Sequence, residues 1–184
     1  MRLWLLRHAP VQAEPGLCYG RSDLPAQPDE TQAAARRAIA QLPKGLALRH
    51  SPLSRCAVLA AELHALRPEM QPHHDARIAE MDFGAWEGRP WSQIERSEFE
   101  AWKCDFGGTR VGGSGESVRQ FMARVADAYD DWRASGDDAL WVTHAGVIRV
   151  VWLLSRGVRA VTRADQWPKD PVAFGELMSI DFES

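Results

Sequence analysis

Apolar residues in this chain fall into short runs closed by polar tips, and those runs alternate with segments of helical spacing. Residues 2–6 predict a buried strand that stops abruptly at Arg7 and His8. Residues 139–143 repeat the pattern and stop at His144, Ala145 and Gly146. A short strand over 46–48 follows Gly45, and 174–180 predicts an edge strand. Helical spacing appears in an Ala-rich segment from Asp29 or Glu30 to Leu42, ended by Pro43. It returns at Cys56, Leu59, Ala60, Leu63 and Leu66, behind Ser51 and Ser54, both able to cap the helix. After Pro68 the pattern is irregular until a short predicted helix over 91–102. Beyond a glycine-rich turn from Gly107 to Gly115, a helix opened by Glu116 carries Val118, Phe121, Met122, Val125, Tyr129 and Trp132 on one face, a stripe read as core. An apolar helix over 147–154 follows His144. Strands alternating with helices predict an α/β fold, a three-layer sandwich with a mostly parallel central sheet flanked by helices.

With 184 residues, 45% hydrophobic, the chain is long enough to bury a core without disulfide or metal staples, and it reads as one domain over 1–184. The polar loop after His8, with Pro10, Pro15, Gly16, Gly20, Pro25 and Pro28, is long for a compact domain and therefore a functional candidate. Net charge is −3 and the basic residues are scattered, which predicts neither a nucleic-acid nor a membrane partner. Cys18, Cys56 and Cys104 stand far apart without a C-x-x-C pair, as expected in a reducing cytoplasm. The apolar stretch after Arg2 is shorter than a signal peptide or a membrane span. His73 and His74 are adjacent but point to opposite faces of an extended segment, so no metal site is expected.

In an open α/β sheet, ligands collect outside the carboxyl ends of the strands. Right-handed crossovers bring His8 and His144 to one such rim, and Arg55 arrives there at the start of the helix after the strand 46–48. Two arginines and two histidines form a pocket for a phosphoryl group, because a guanidinium fork matches phosphate oxygens. The helix starts at Ser54-Arg55 and Ala145-Gly146 suit an anion as well. No Walker loop is present. A histidine nucleophile must be neutral, and the arginines beside His8 favour that form. A leaving alkoxide needs a proton donor, and Glu80, Asp82 and Glu87 compete for that role.

Leu6-Arg7-His8, Ser51-Pro52-Leu53-Ser54-Arg55, the segment from Glu80 to Gly88, Gly115-Glu116-Ser117 and the segment from Val142 to Arg149 occur in this order. Together they resemble the histidine phosphatase superfamily, whose fold is phosphoglycerate-mutase-like. The resemblance implies that His8 is phosphorylated, that Arg7, Arg55 and His144 bind the phosphoryl group, and that Glu80 is the general acid. It implies a cofactor-independent hydrolase acting on a small phosphorylated metabolite, with a homodimer compatible with it. Residues 16–25 look like the loop of the α-ribazole phosphatases, which implies α-ribazole 5'-phosphate as substrate and makes Tyr19 and Arg21 candidate substrate contacts. Ala9-Pro10-Val11 and Glu14 depart from the family pattern, where a later Asn helps to hold phosphate. The alternatives are a phosphoglycerate-mutase-type phosphotransferase, disfavoured by the lack of a long insertion after Glu80, and a phospho-ligand binding module, which would not need the acid.

Overall fold

The computed structural model describes residues 1–182 and places five strands in one sheet between two layers of helices. Strands β1 (Arg2–Arg7), β2 (Ala47–His50), β3 (Pro72–His74), β4 (Ala139–Thr143) and β5 (Leu177–Asp181) lie in the order β3-β2-β4-β1-β5. All pairings are parallel except that of β5, which runs antiparallel along β1 and closes one edge. Helices α1 (Pro28–Ile39) and α2 (Ser54–Leu66) precede α3 (Arg96–Cys104), α4 (Val118–Ser135) and α5 (Ala145–Ser155).

The two-residue period of the central strands decides which layer each side chain joins. Leu3, Leu5, Ala139 and Trp141 pack with Phe121, Met122, Val125 and Val147 from α4 and α5. Leu6, Leu48, Leu140 and Val142 pack with Ala35, Ala38, Leu59 and Leu63 from α1 and α2. Both faces of the sheet are therefore covered, as a parallel sheet requires. Among the described residues no helix is long and apolar enough to cross a membrane.

Several elements differ from the sequence expectation for identifiable reasons. The helix expected over 91–102 is a 3-10 turn, Trp91–Gln93, followed by α3, because Ile94 and Glu95 are extended between them. Strand β3 occupies ground read as irregular; three residues beginning with proline carry too little alternation to register. Helix α4 is opened by Ser117 rather than Glu116, its Oγ accepting from Gln120 N while Gln120 Oε1 accepts from Ser117 N. Neither Ser51 nor Ser54 caps α2 through its side chain; Leu53 occupies that position.

The loop between β1 and α1 is tied rather than loose. Val11 pairs with Ala26 and Leu17 with Pro90, and Cys18 is fully buried.

Candidate functional site

The register of β1 against β4 sets Arg7 opposite Thr143, and His8 N donates to Thr143 O at 3.0 Å. Ser51 N donates to Val142 O one strand further on. His8, Ser51 and His144 thus leave three adjacent strands at one rim. The two imidazole rings stand 5.1 Å apart, at 62°.

His8 is 2% exposed, and its Nδ1 lies 2.7 Å from Ala9 O. A carbonyl only accepts, so Nδ1 carries the proton and the lone pair is left on Nε2. Burial first, then the charge of Arg55, pushes the His8 pKa down to about 3, so the ring is neutral at ordinary pH. The arginines contribute, as expected, but desolvation is the larger cause. His144 is fully buried and also held well below the usual histidine value, by burial and then by His8. Its Nε2 is hydrogen-bonded to Ser51 Oγ at 2.8 Å, which fixes the ring, and Cys56 Sγ lies 3.5 Å from the same nitrogen.

The two arginines are anchored by carbonyls. Arg55, fully buried, donates to Gly20 O at 2.6 Å and Ser22 O at 2.7 Å. Arg7 donates to Val172 O and stacks its guanidinium 3.7 Å from the centre of the Phe174 ring. Burial lowers the Arg7 pKa from a value far above neutrality. Arg7 Nε and Arg55 Nε are buried with no hydrogen-bond partner among the described residues. An unpaired buried donor costs about 1–3 kcal/mol, a cost that an acceptor reaching it would remove.

The three competing carboxylates have separate positions. Glu87 accepts from the amides of Gly20, Arg21, Ser22 and Phe83 and from the Ser22 hydroxyl. Burial works to raise its pKa, but the Ser22 and amide hydrogen bonds outweigh it and hold the carboxyl below its usual range. This carboxylate folds the 20–22 loop so that its carbonyls meet Arg55. Gly20 is required there, because a Cβ would lie 2.7 Å from the Phe83 ring and closer still to Met81 O. Asp82 accepts from Gly84 N within its own turn. Glu80 Oε2 accepts from Gly146 N at 3.1 Å, two residues beyond His144. Of the three, only Glu80 is joined to the start of α5.

At each of the two helix starts expected to suit an anion, a carboxylate of the chain takes one amide. Asp23 accepts from Ser54 N at 2.8 Å on α2, and Glu80 holds Gly146 N on α5. Each carboxylate meets one of the N–H groups that a helix end leaves without an intrahelical partner.

Arg124 and Glu116 hold the strip that carries Glu80. Arg124 donates to Arg77 O, Ala79 O and Glu80 O, and Glu116, ion-paired to Arg124 at 2.7 Å, accepts from Asp82 N. Burial would raise the Glu116 pKa, but Arg124 more than offsets it and lowers it. Arg124→Met is expected to cost roughly 3 kcal/mol, the scale of breaking a largely buried ion pair. Urea unfolding measures it, and a loss below about 0.5 kcal/mol, the scale of an exposed pair, would contradict this role.

Tyr19 lies with its ring 5.3 Å from the Arg55 guanidinium. Arg21 is exposed; its amide donates to Glu87, and no described contact joins its side chain to either histidine. Glu14 lines a cleft with Tyr19 and Phe174. Ser51, Phe174, Arg124 and the part played by Glu87 were not anticipated. Only Ser51 and Glu87, inside recognised motifs, carried a signal that could have found them.

Residues 3–171 match the model of the histidine phosphatase superfamily, branch 1. The chain belongs to that superfamily. Within it, the chain is 30% identical over 168 residues to the adenosylcobalamin/alpha-ribazole phosphatase of Salmonella typhimurium, a match covering 82% of this chain and 77% of that one. The crystal structure of the alpha-ribazole phosphatase from Shigella flexneri superposes with a TM-score of 0.81 at 25% identity, covering 100% and 91% of the two chains. A phosphoglycerate mutase structure from Thermus thermophilus gives 0.72 at 29% identity, covering 99% and 94%. The expected phosphoglycerate-mutase-like fold is therefore the observed one, and the superfamily is one of phosphatases.

Proposed function

We propose that this histidine phosphatase hydrolyses the 5'-phosphate of α-ribazole, through a phosphohistidine on His8, as a single catalytic domain over 1–184 working in the cytoplasm as monomer or homodimer. The observation that carries the mechanism is the His8 Nδ1 bond to Ala9 O, which leaves Nε2 as a neutral nucleophile beside buried arginine donors.

In the first step the Nε2 lone pair attacks phosphorus, the bond from phosphorus to the ester oxygen breaks, and Glu80, acting as general acid, gives that oxygen a proton. Arg7, Arg55 and His144 stabilise the charge spread over the equatorial oxygens. In the second step water attacks phosphorus, ionised Glu80 takes its proton, and the bond to Nε2 breaks to release inorganic phosphate. The Nδ1 proton stays on the ring, donated to Ala9 O, throughout.

The two alpha-ribazole phosphatase relatives support the substrate. A panel of α-ribazole 5'-phosphate, ribose 5-phosphate, 3-phosphoglycerate and a phosphopeptide, scored by kcat/KM, tests it. The first is expected to lead by at least about 10-fold, roughly 1.4 kcal/mol of differential transition-state binding. A lead for any other compound overturns the substrate, and transfer between phosphoglycerates without phosphate release favours the mutase reading.

A further inference from the structure

Beyond the phosphoryl pocket, Glu80, Ala145 and Gly146 form one wall of a separate cavity of about 240 Å³. Its other walls include Phe83, Trp91, Trp102, Phe121 and Trp167, with Arg149. We infer that this aromatic cavity, and not the Tyr19–Arg21 loop, receives the leaving group, and that it selects a flat aromatic heterocycle carried on the phosphorylated sugar. The inference rests on the proposed hydrolysis and adds the residues that choose its substrate.

Position is the first argument. A phosphoryl group held between His8 and the arginines must direct its ester oxygen at the acid, so the rest of the substrate continues past Glu80 into the space that Glu80 lines. Surface chemistry is the second. Phe83 and Trp91 meet edge to face with centroids 5.4 Å apart at 80°, and Trp91 is 39% exposed. A large indole left half in water at a cavity mouth gains by covering a second flat ring, and such stacking is sequence- and substituent-tolerant. Unpaired donors are the third. Trp102 Nε1 and Arg149 Nε are buried on lining residues with no hydrogen-bond partner among the described residues, while Asp170 O holds the Arg149 guanidinium at 3.1 Å. Buried donors of this kind call for acceptors, which heterocycle nitrogens and sugar hydroxyls supply.

The cleft on the Tyr19 side is less suited to that role. It is lined by Pro10, Val11, Pro15 and the Glu14 carboxylate, and its second aromatic ring, Phe174, is already stacked on Arg7.

The test compares Trp91→Ala, Trp91→Phe and Tyr19→Ala by the ratio of kcat/KM for α-ribazole 5'-phosphate to that for ribose 5-phosphate, which lacks the ring. Trp91→Ala should lower the ratio on the order of 10-fold, the range of one lost stacking contact, chiefly through KM. Trp91→Phe should restore most of it, and Tyr19→Ala should leave it within about twofold, since any effect through Arg55 is common to both phosphates. Binding of unphosphorylated α-ribazole to His8→Ala, followed by isothermal titration calorimetry with and without Trp91→Ala, reads the same cavity without turnover. Binding that Trp91→Ala abolishes supports the cavity even where the phosphate ester proves to be no substrate, which would sink only the proposed reaction. A ratio unchanged by Trp91→Ala, or nucleoside binding indifferent to it, overturns the inference.

Discussion

His8→Ala is expected to lower kcat on the order of 10⁶-fold, the scale reached when a covalent nucleophile is removed from an otherwise intact site. The structure leaves this ring neutral with its Nε2 lone pair free. Its Nδ1 is committed to Ala9 O, and burial with the Arg55 charge keeps the ring unprotonated down to about pH 3. The activity of the wild type should therefore show no acid limb from protonation of His8 between about pH 5 and 8, the range in which an ordinary histidine titrates. The same shift carries a stability cost in acid. A histidine whose folded pKa is depressed loses stability as pH falls below its ordinary 6.5, where the unfolded chain takes up the proton first, and continues to lose it towards the folded value. Steady-state assays at high enzyme concentration, with circular dichroism to confirm folding, measure the effect. A folded His8→Ala variant within about 10-fold of wild type would remove covalent catalysis from the account.

Glu80→Gln should divide substrates by their leaving groups. An alkoxide departs as a strong base and needs a proton in the transition state, so loss of the acid costs roughly 10²- to 10⁴-fold. Nitrophenolate departs unaided, and p-nitrophenyl phosphate should lose far less in the first step. Glutamine keeps the shape and can still accept from Gly146 N, so the helix start is not left without its partner. That isostery matters because Gly146 leaves almost no room; a Cβ there would meet the Glu80 carboxylate. Comparison of kcat/KM for α-ribazole 5'-phosphate and p-nitrophenyl phosphate measures the split. Equal losses on both would assign Glu80 to positioning rather than to proton transfer.

The strands that carry the histidines were legible because each is an apolar run ended by a polar tip, and the rim follows from parallel pairing alone. Strand β3 was not, since three residues beginning with a proline give no period, and α3 was displaced because the two extended residues 94 and 95 interrupt the run. At the site, the sequence brought Arg7, His8, Arg55 and His144 to one place, whereas the choice among Glu80, Asp82 and Glu87 needed either the family resemblance or the coordinates. What separates them physically is partner geometry. Glu87 is spent on four amides and a hydroxyl, and Asp82 on its own turn, while Glu80, whose Oε1 accepts from Met81 N, also meets α5 through Oε2. Contacts such as those of Glu87 with Gly20 and Glu80 with Gly146 join residues far apart in the chain, and no local pattern encodes them. The same holds for Asp23 on the α2 start and for Phe174 over Arg7. The substrate contacts expected at Tyr19 and Arg21 diverge in the same way, with Tyr19 beside Arg55 and Arg21 turned to solvent.

A covalent intermediate on His8 is caught by rapid quench into alkali with substrate labelled in its phosphoryl group, because phosphohistidine survives base and decomposes in acid. Up to one acid-labile label per chain is expected, confined to the peptide containing His8 and absent from His8→Ala. Label on any other residue, or full single-turnover hydrolysis with no label on the protein at any time, would contradict it.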